Sequence, residues 1–257
     1  MESKKLMTAE DFHLLVLDFA DEFQRKHYET FKNHPQDIVR NALFNIFHDA
    51  IILHRAVGDL VFGGWSSAGA IIVRTMLDLT VSMMAILNSQ NPTLSAFKYF
   101  NSSFRQLSRD NYYSSEFRRG VRGLVREQIG LLPLEDRTLA FQFLKEKDRA
   151  YWFWEEWKNP SEVISKFGSS KLQDAYKGLS SAAHGGFIGL RVYRDRFNDY
   201  DINPRLPIGK QAALVTVSSS KYLNELISIR SQYESLGLEN ICIEIREKIK
   251  TVDIFNE

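Results

Sequence analysis

The chain has 257 residues, of which 44% are hydrophobic and 25% are charged, and these are ordinary values for a globular protein with a sizeable core. Its 33 basic and 32 acidic side chains give a formal net charge of +1, so the overall charge makes no case for nucleic acid or for acidic partners. The single cysteine, Cys242, excludes an intrachain disulfide framework and a cysteine-based zinc finger.

Helical periodicity runs along the chain from Thr8 to Val252 and predicts an all-α protein. Glycine and proline positions separate the predicted helices. These helices cover residues 8–29, 36–61, 66–87, 94–109, 118–129, 135–150, a segment ending at 185, 210–236 and 239–252. The one strand-like alternation of useful length lies at residues 187–193. Because the sequence contains no internal repeat and no linker, we predict a single domain, residues 1–257, built as a bundle of about seven to nine helices.

The sequence predicts a cytoplasmic protein without a membrane span. The first residues carry no signal-peptide pattern, and we interpret Cys242 as a buried, inert thiol in a reducing compartment. The stretch from residue 60 to residue 87 is long and mostly apolar, but Arg74 and Asp78 fall near its middle. Charges at that depth of a bilayer are costly, so we interpret the stretch as a buried core helix, with a spanning helix as the minor alternative.

Several candidate catalytic or binding side chains lie close together in residues 174–193. If this segment is helical as far as Gly185, then Tyr176, Ser180 and His184 lie along one side, because they are four residues apart. His184 then lies in the last turn, near the negative end of the helix dipole, which favours its protonated form. It can act there as a general acid or base, or in the simpler interpretation it bonds a carbonyl at the helix end.

Arg74 and Asp78 are four residues apart on the most apolar predicted helix, so their side chains can face one another. One interpretation is a buried ion pair that fixes helix packing. The other is a polar pocket, in which the guanidinium forks towards phosphate or carboxylate. Because buried charges need polar partners, we predict that the helix bearing His184 packs against this one and forms a single cluster.

Two other classes of site have little support in the sequence. No G-x-S-x-G elbow accompanies Ser180, which argues against a Ser–His–Asp hydrolase. His48 and His54 are six residues apart rather than the usual four, and we expect them to make core contacts or to face solvent. We therefore predict no metal site and no cofactor.

A local excess of arginine lies between residues 104 and 126. Arg118, Arg122 and Arg126 share one side of a predicted helix, which we call the arginine face. Together with nearby tyrosines that can stack on bases, this is the one local pattern that suggests a nucleic-acid-binding surface. The preferred interpretation is a solvated face that pairs with the many acidic residues elsewhere.

The sequence is similar to an uncharacterised bacterial helical family, a domain of unknown function. That family shows Arg-x-x-x-Glu in an apolar helix, then a tryptophan, then Tyr-x-x-x-Ser-x-x-x-His. The matching residues, within about residues 40–195, are Arg74, Asp78, Trp157, Ser161, Tyr176, Ser180, His184 and Gly185. Asp78 stands where the family has glutamate, a longer carboxylate of the same charge. This resemblance supplies candidate residues rather than a reaction.

A second resemblance is to the HEPN helical nucleases of toxin–antitoxin and phage-defence systems. Their motif is an arginine, four to six residues and a histidine, placed across a dimer interface for metal-free RNA cleavage. The nearest match here is Lys177, six residues and His184, and Arg74 would supply the guanidinium from another helix. The resemblance implies a homodimer that binds RNA.

We therefore expect an HEPN-like ribonuclease. His184 is the expected acid and base, and Arg74 and Lys177 are the expected phosphate ligands. The residues expected to position the substrate or these groups are Tyr176, Ser180 and Asp78. The alternative is a non-catalytic helical binding module, in which the same Arg/Asp/His cluster holds a small ligand or locks the core.

Overall fold

The computed structural model describes residues 7–32, 37–145, 156–169, 172–177 and 209–252. Within these residues the chain forms ten α-helices and one 3₁₀ helix, Ile249–Thr251, and residues 172–177 are helical as well. The α-helices are α1 (Ala9–Lys32), α2 (Ile38–Phe62), α3 (Ser66–Leu87), α4 (Pro92–Asn101), α5 (Phe104–Arg109), α6 (Ser115–Leu131), α7 (Leu134–Lys145), α8 (Pro160–Phe167), α9 (Gly209–Glu234) and α10 (Glu239–Lys248).

The all-α prediction is confirmed, because the described residues contain no strand and only one isolated parallel bridge, between Met7 and Val252. The number of helices is slightly above the predicted seven to nine. The strand-like alternation at residues 187–193 and the predicted helix end at Gly185 lie outside the described residues.

Capping side chains account for two helix starts that differ from the predicted ones. The segment predicted as one helix over residues 94–109 is two helices, and Asn91 caps the first of them by accepting a hydrogen bond from the Leu94 amide at 2.9 Å. Helix α6 begins earlier than predicted, because the Ser114 hydroxyl accepts from the Phe117 amide at 3.1 Å. Both caps are residue types that favour helix starts.

The chain divides into two compact units. The first contains Met1–Tyr28, Ile46–Thr80 and Gly168–Glu257, and the second contains Glu29–Asn45 and Val81–Phe167. Helices α1, α2 and α3 each contribute residues to both units. Whether the chain is one domain, as the sequence predicts, stays a prediction.

The core of the first unit follows from helical spacing. Helix α1 buries Phe12, Val16, Ala20 and Phe23, whose three- and four-residue spacing puts them on one face. Phe23 packs edge-on against a phenylalanine of α2, with 5.2 Å between the ring centres. Cys242 of α10 is buried, as predicted, and burial raises the pKa of its thiol to about 11.

The second unit joins its helices through polar side chains as well as apolar ones. The Asn91 amide donates a hydrogen bond to the Asp136 carboxylate at 2.6 Å, which ties the start of α4 to α7. The Asn101 amide donates to the Gln128 side chain at 2.7 Å, which ties the end of α4 to α6. Buried amides with such partners fix helix register more strictly than apolar contacts do.

By length and composition alone, helix α3 is a candidate membrane-spanning helix. Its residues 68–87 are apolar enough to cross a bilayer, but 61% of the tested window is buried inside the structure. Core helices of globular proteins pass the same test. The buried share agrees with the interpretation of this stretch as a core helix.

Candidate functional site

Helix α3 carries the predicted ion pair. The Arg74 side chain pairs with the Asp78 carboxylate one helical turn away, as the spacing predicts. The two partners differ in environment, since the arginine side chain is 10% exposed and the aspartate side chain is 50% exposed. The pair therefore has its cation inside the first unit and its carboxylate at the surface. The sequence-based prediction that both charges lie inside the fold is wrong for Asp78.

Tyr176 also contacts this guanidinium. Its ring centre lies 4.0 Å from the guanidinium carbon of Arg74, which is a close cation–π contact. The helical residues 172–177 are held in place locally by Leu172, which is buried and whose amide donates to the Ser169 hydroxyl at 3.2 Å. The predicted packing of this segment against α3 is thus observed at Tyr176.

Tyr222 of α9 is a further buried group, not predicted from the sequence, that interacts electrostatically with Arg74. Its side chain is 2% exposed, and burial raises the pKa of its phenol to about 12, while the positive charge of Arg74 acts in the opposite direction. The phenol therefore keeps its proton at neutral pH. The one sequence signal is that α9 carries an unusual density of polar residues that turn out to be buried, among them Thr216, Ser219, Ser220 and Asn224.

The remaining predicted site residues divide into two groups. Lys177 directly follows Tyr176 and is exposed. Ser180 and His184 lie outside the described residues, so their predicted place in the cluster stays a prediction.

The arginine face lies on α6, in the second unit. Two of its members are engaged with neighbouring backbone and side chains, because Arg118 donates to the Asn111 side chain at 3.0 Å and Arg122 donates to the Ser108 carbonyl at 3.2 Å. Arg126 is exposed. A guanidinium has five N–H donors, so these bonds orient the face and still allow it to contact phosphate.

A second polar centre in the first unit is a histidine pair. The rings of His13 and His54 stack with 3.8 Å between their centres, and His54 shares hydrogen bonds with the Ser219 hydroxyl at 3.0 Å and the His13 carbonyl at 3.3 Å. Burial lowers the pKa of His13 to about 4, against the opposing effect of Asp59. Burial, followed by the neighbouring His13, lowers the pKa of His54 to about 3. Both rings are therefore neutral near pH 7.

This pair agrees with the predicted core role for His54, while His48 is exposed. Among the described residues, no three histidine, cysteine, aspartate or glutamate side chains come close enough to hold a metal ion. The histidine pair packs the core and offers no metal-binding set there.

A model of the family described as "Family of unknown function (DUF5677)" matches residues 40–201, which is more than half of the chain. The chain therefore belongs to this family. Neither a curated protein nor a solved structure matches the sequence. The match includes Arg74, Asp78, Tyr176 and His184, so the candidate site lies within the family's own region.

Proposed function

We propose that this member of the DUF5677 family is a metal-independent, HEPN-like ribonuclease that acts in toxin or phage-defence chemistry. The observation that carries the proposal is the Arg74 guanidinium, which is buried, pairs with the Asp78 carboxylate and contacts the Tyr176 ring. A guanidinium presents its N–H donors in a planar fork that matches the oxygens of a phosphate. Such a preoriented cation suits a phosphate whose negative charge grows during reaction.

The proposed reaction uses the 2′-hydroxyl of RNA as its nucleophile. His184 takes the proton from that hydroxyl, the 2′ oxygen attacks the phosphorus, and the bond from phosphorus to the 5′ oxygen breaks. The imidazolium then gives a proton to the leaving 5′ oxygen, so that the products are a 2′,3′-cyclic phosphate and a 5′-hydroxyl. Arg74 stabilises the negative charge on the phosphate oxygens in the transition state.

The other candidate residues bind and position RNA in this proposal. Tyr176 and Ser180 place the scissile phosphate, and Lys177 contacts a neighbouring phosphate. The arginine face binds the RNA backbone through contacts that carry no sequence information. The protein acts as a cytoplasmic homodimer, the arrangement that the HEPN resemblance implies.

A second candidate function comes from the same pair of residues. The guanidinium of Arg74 already has a carboxylate and an aromatic ring as partners, which is also how a buried arginine locks helices together. In that case the protein is a non-catalytic binding module. The two functions differ in whether RNA is cleaved at all.

The test is incubation of purified protein with total RNA, with and without a chelator of divalent metals. Cleavage that survives the chelator and disappears in His184→Ala and Arg74→Lys supports the ribonuclease. Arg55→Ala is the matched control, because Arg55 is an exposed arginine that pairs with Asp21 in the same unit. Intact RNA, together with a loss of stability in His184→Ala, supports the binding module instead.

A further inference from the structure

A cleft of about 500 Å³ opens on the second unit, and none of the roles proposed above uses it. Its size is in the range of small-molecule sites. It lies between the end of α3, the residues that precede α8 and the end of α8. The lining residues are Asn88, Gln90, Glu156, Trp157, Lys166 and Phe167.

The carboxylate of Glu156 is held in one orientation within this cleft. The Ser89 hydroxyl donates to one carboxylate oxygen at 2.5 Å, and the backbone N–H of Gln90 donates to the other at 3.3 Å. Ser89 is itself fixed, because its oxygen accepts from the Ser95 hydroxyl at 2.7 Å and from the backbone N–H of Asn91 at 3.1 Å. A carboxylate has about four lone-pair sites, so both oxygens can accept one more hydrogen bond each.

An aromatic surface and a cation complete the cleft. Trp157 is buried and supports the 39%-exposed Phe167 edge-on, with 6.0 Å between the ring centres. Lys166 pairs with Glu162 at 3.3 Å, and an ammonium with three N–H donors can keep that pair while it holds a second anion.

These three groups together select one kind of ligand. A fixed carboxylate with two adjacent acceptors matches two adjacent N–H donors, an exposed ring matches a flat aromatic group, and the lysine matches a negative charge. An arginine side chain has the two donors but is repelled by Lys166. Among the RNA bases, guanine presents two adjacent N–H donors on its Watson–Crick edge and stacks on aromatic rings. As a nucleotide it also carries a phosphate.

We infer that this cleft binds a guanine nucleotide, with Glu156 on the N1–H and N2–H donors, Phe167 under the base and Lys166 on the phosphate. The inference rests on the proposed function only for the source of the base, which is RNA in a ribonuclease and a free nucleotide otherwise. Binding of a mononucleotide is measured without cleavage, so failure here is distinguishable from failure of the Arg74 site.

The experiment is calorimetric titration of the full chain with GMP, IMP, AMP and guanosine. IMP lacks the N2 amine, so GMP is expected to bind about tenfold more tightly than IMP, with AMP weaker still. Glu156→Gln should abolish the preference for GMP over IMP. Phe167→Ala should weaken GMP binding by about tenfold. Lys166→Ala should weaken binding of GMP and leave that of guanosine unchanged.

Glu127→Gln is the matched control, since Glu127 is an exposed glutamate of the same unit. Circular dichroism and thermal melting establish that each variant is folded, and Lys166→Ala keeps the test decisive if Glu156→Gln unfolds.

A guanine-containing oligoribonucleotide that binds more tightly than GMP identifies RNA as the source, and the reverse order identifies a free nucleotide. The inference is overturned if GMP does not bind, if GMP and AMP bind equally, if arginine amide binds more tightly than GMP, or if Glu156→Gln binds GMP as wild type does.

Discussion

The ring of Tyr176 lies 4.0 Å from the guanidinium carbon of Arg74. This contact joins the apolar helix α3 to the beginning of the Tyr-x-x-x-Ser-x-x-x-His pattern. It also gives the arginine an electron-rich face in addition to the carboxylate of Asp78.

Removal of the Tyr176 ring should destabilise the protein more than removal of its hydroxyl alone. We expect Tyr176→Ala to lower the free energy of unfolding by about 1–3 kcal/mol, because it loses both the cation–π contact and apolar contacts. Tyr176→Phe keeps the ring and should change this free energy by less than about 1 kcal/mol. Urea denaturation measures both values. Equal losses in the two variants would show that the ring contact does not stabilise the fold.

The ion pair should respond unequally to removal of its two partners. Asp78→Asn leaves a buried guanidinium without its carboxylate, and we expect a loss of about 2–4 kcal/mol. Arg74→Met keeps the buried volume and leaves a carboxylate that is half-exposed to water, so the loss should be about 1 kcal/mol or less. Denaturation of both variants at pH 7 checks the order. A larger loss in Arg74→Met than in Asp78→Asn would contradict it.

Acid should destabilise the first unit through the stacked histidines. Burial holds the pKa of His13 at about 4 and that of His54 at about 3, while both titrate near 6.5 in the unfolded chain. The unfolded chain therefore binds more protons below pH 6.5, so stability is complete above that pH and falls as the pH drops towards 4. Each histidine contributes a slope of up to about 1.4 kcal/mol per pH unit. His27, whose pKa is lowered chiefly by burial, acts in the same direction.

The measurement is the free energy of unfolding in urea between pH 7.5 and pH 4.5. His48→Gln is the matched control, because His48 is an exposed histidine of α2 and its loss should leave the slope unchanged. His54→Gln should reduce the slope. A pH-independent wild-type stability across this window would disprove buried neutral histidines.

Two helical glycines should respond to alanine in opposite directions. A Cβ atom on Gly58 would lie 2.5 Å from the Nε2 atom of His13, a buried ring that cannot move aside, so Gly58→Ala should cost about 1–3 kcal/mol. A Cβ atom on Gly123 meets no atom within 4 Å, so Gly123→Ala should stabilise α6 by about 0.5–1 kcal/mol. Thermal and urea denaturation report both changes. A stabilising Gly58→Ala would show that α1 and α2 pack differently at this point.

Local spacing explains what the sequence could predict. The ion pair of Arg74 and Asp78 follows from their four-residue separation on a helix, and the approach of Tyr176 follows from the need of a buried charge for partners. The helix ends marked by Asn91 and Ser114 carried recognisable capping residues, although the predicted boundaries did not use them.

Contacts between distant segments explain what it could not. His13 and His54 lie on different helices, and no local sequence pattern pairs them. Their stacking depends on how α1 packs against α2. The hydrogen bond from Ser89 to Glu156 joins segments 67 residues apart, and no local pattern pairs them. The half-exposed position of Asp78 was also unpredictable, because an apolar helix does not reveal which side meets solvent.

The chemistry of the RNA ends after incubation with wild-type protein in excess chelator decides whether the site around Arg74 cleaves RNA without a metal. Attack by the 2′-hydroxyl predicts fragments with a 2′,3′-cyclic phosphate and a 5′-hydroxyl, detected by mass spectrometry. The same fragments should be absent with Arg74→Lys and His184→Ala and present with Arg55→Ala. Intact RNA, or fragments with a 3′-hydroxyl and a 5′-phosphate, would contradict a metal-independent ribonuclease centred on Arg74.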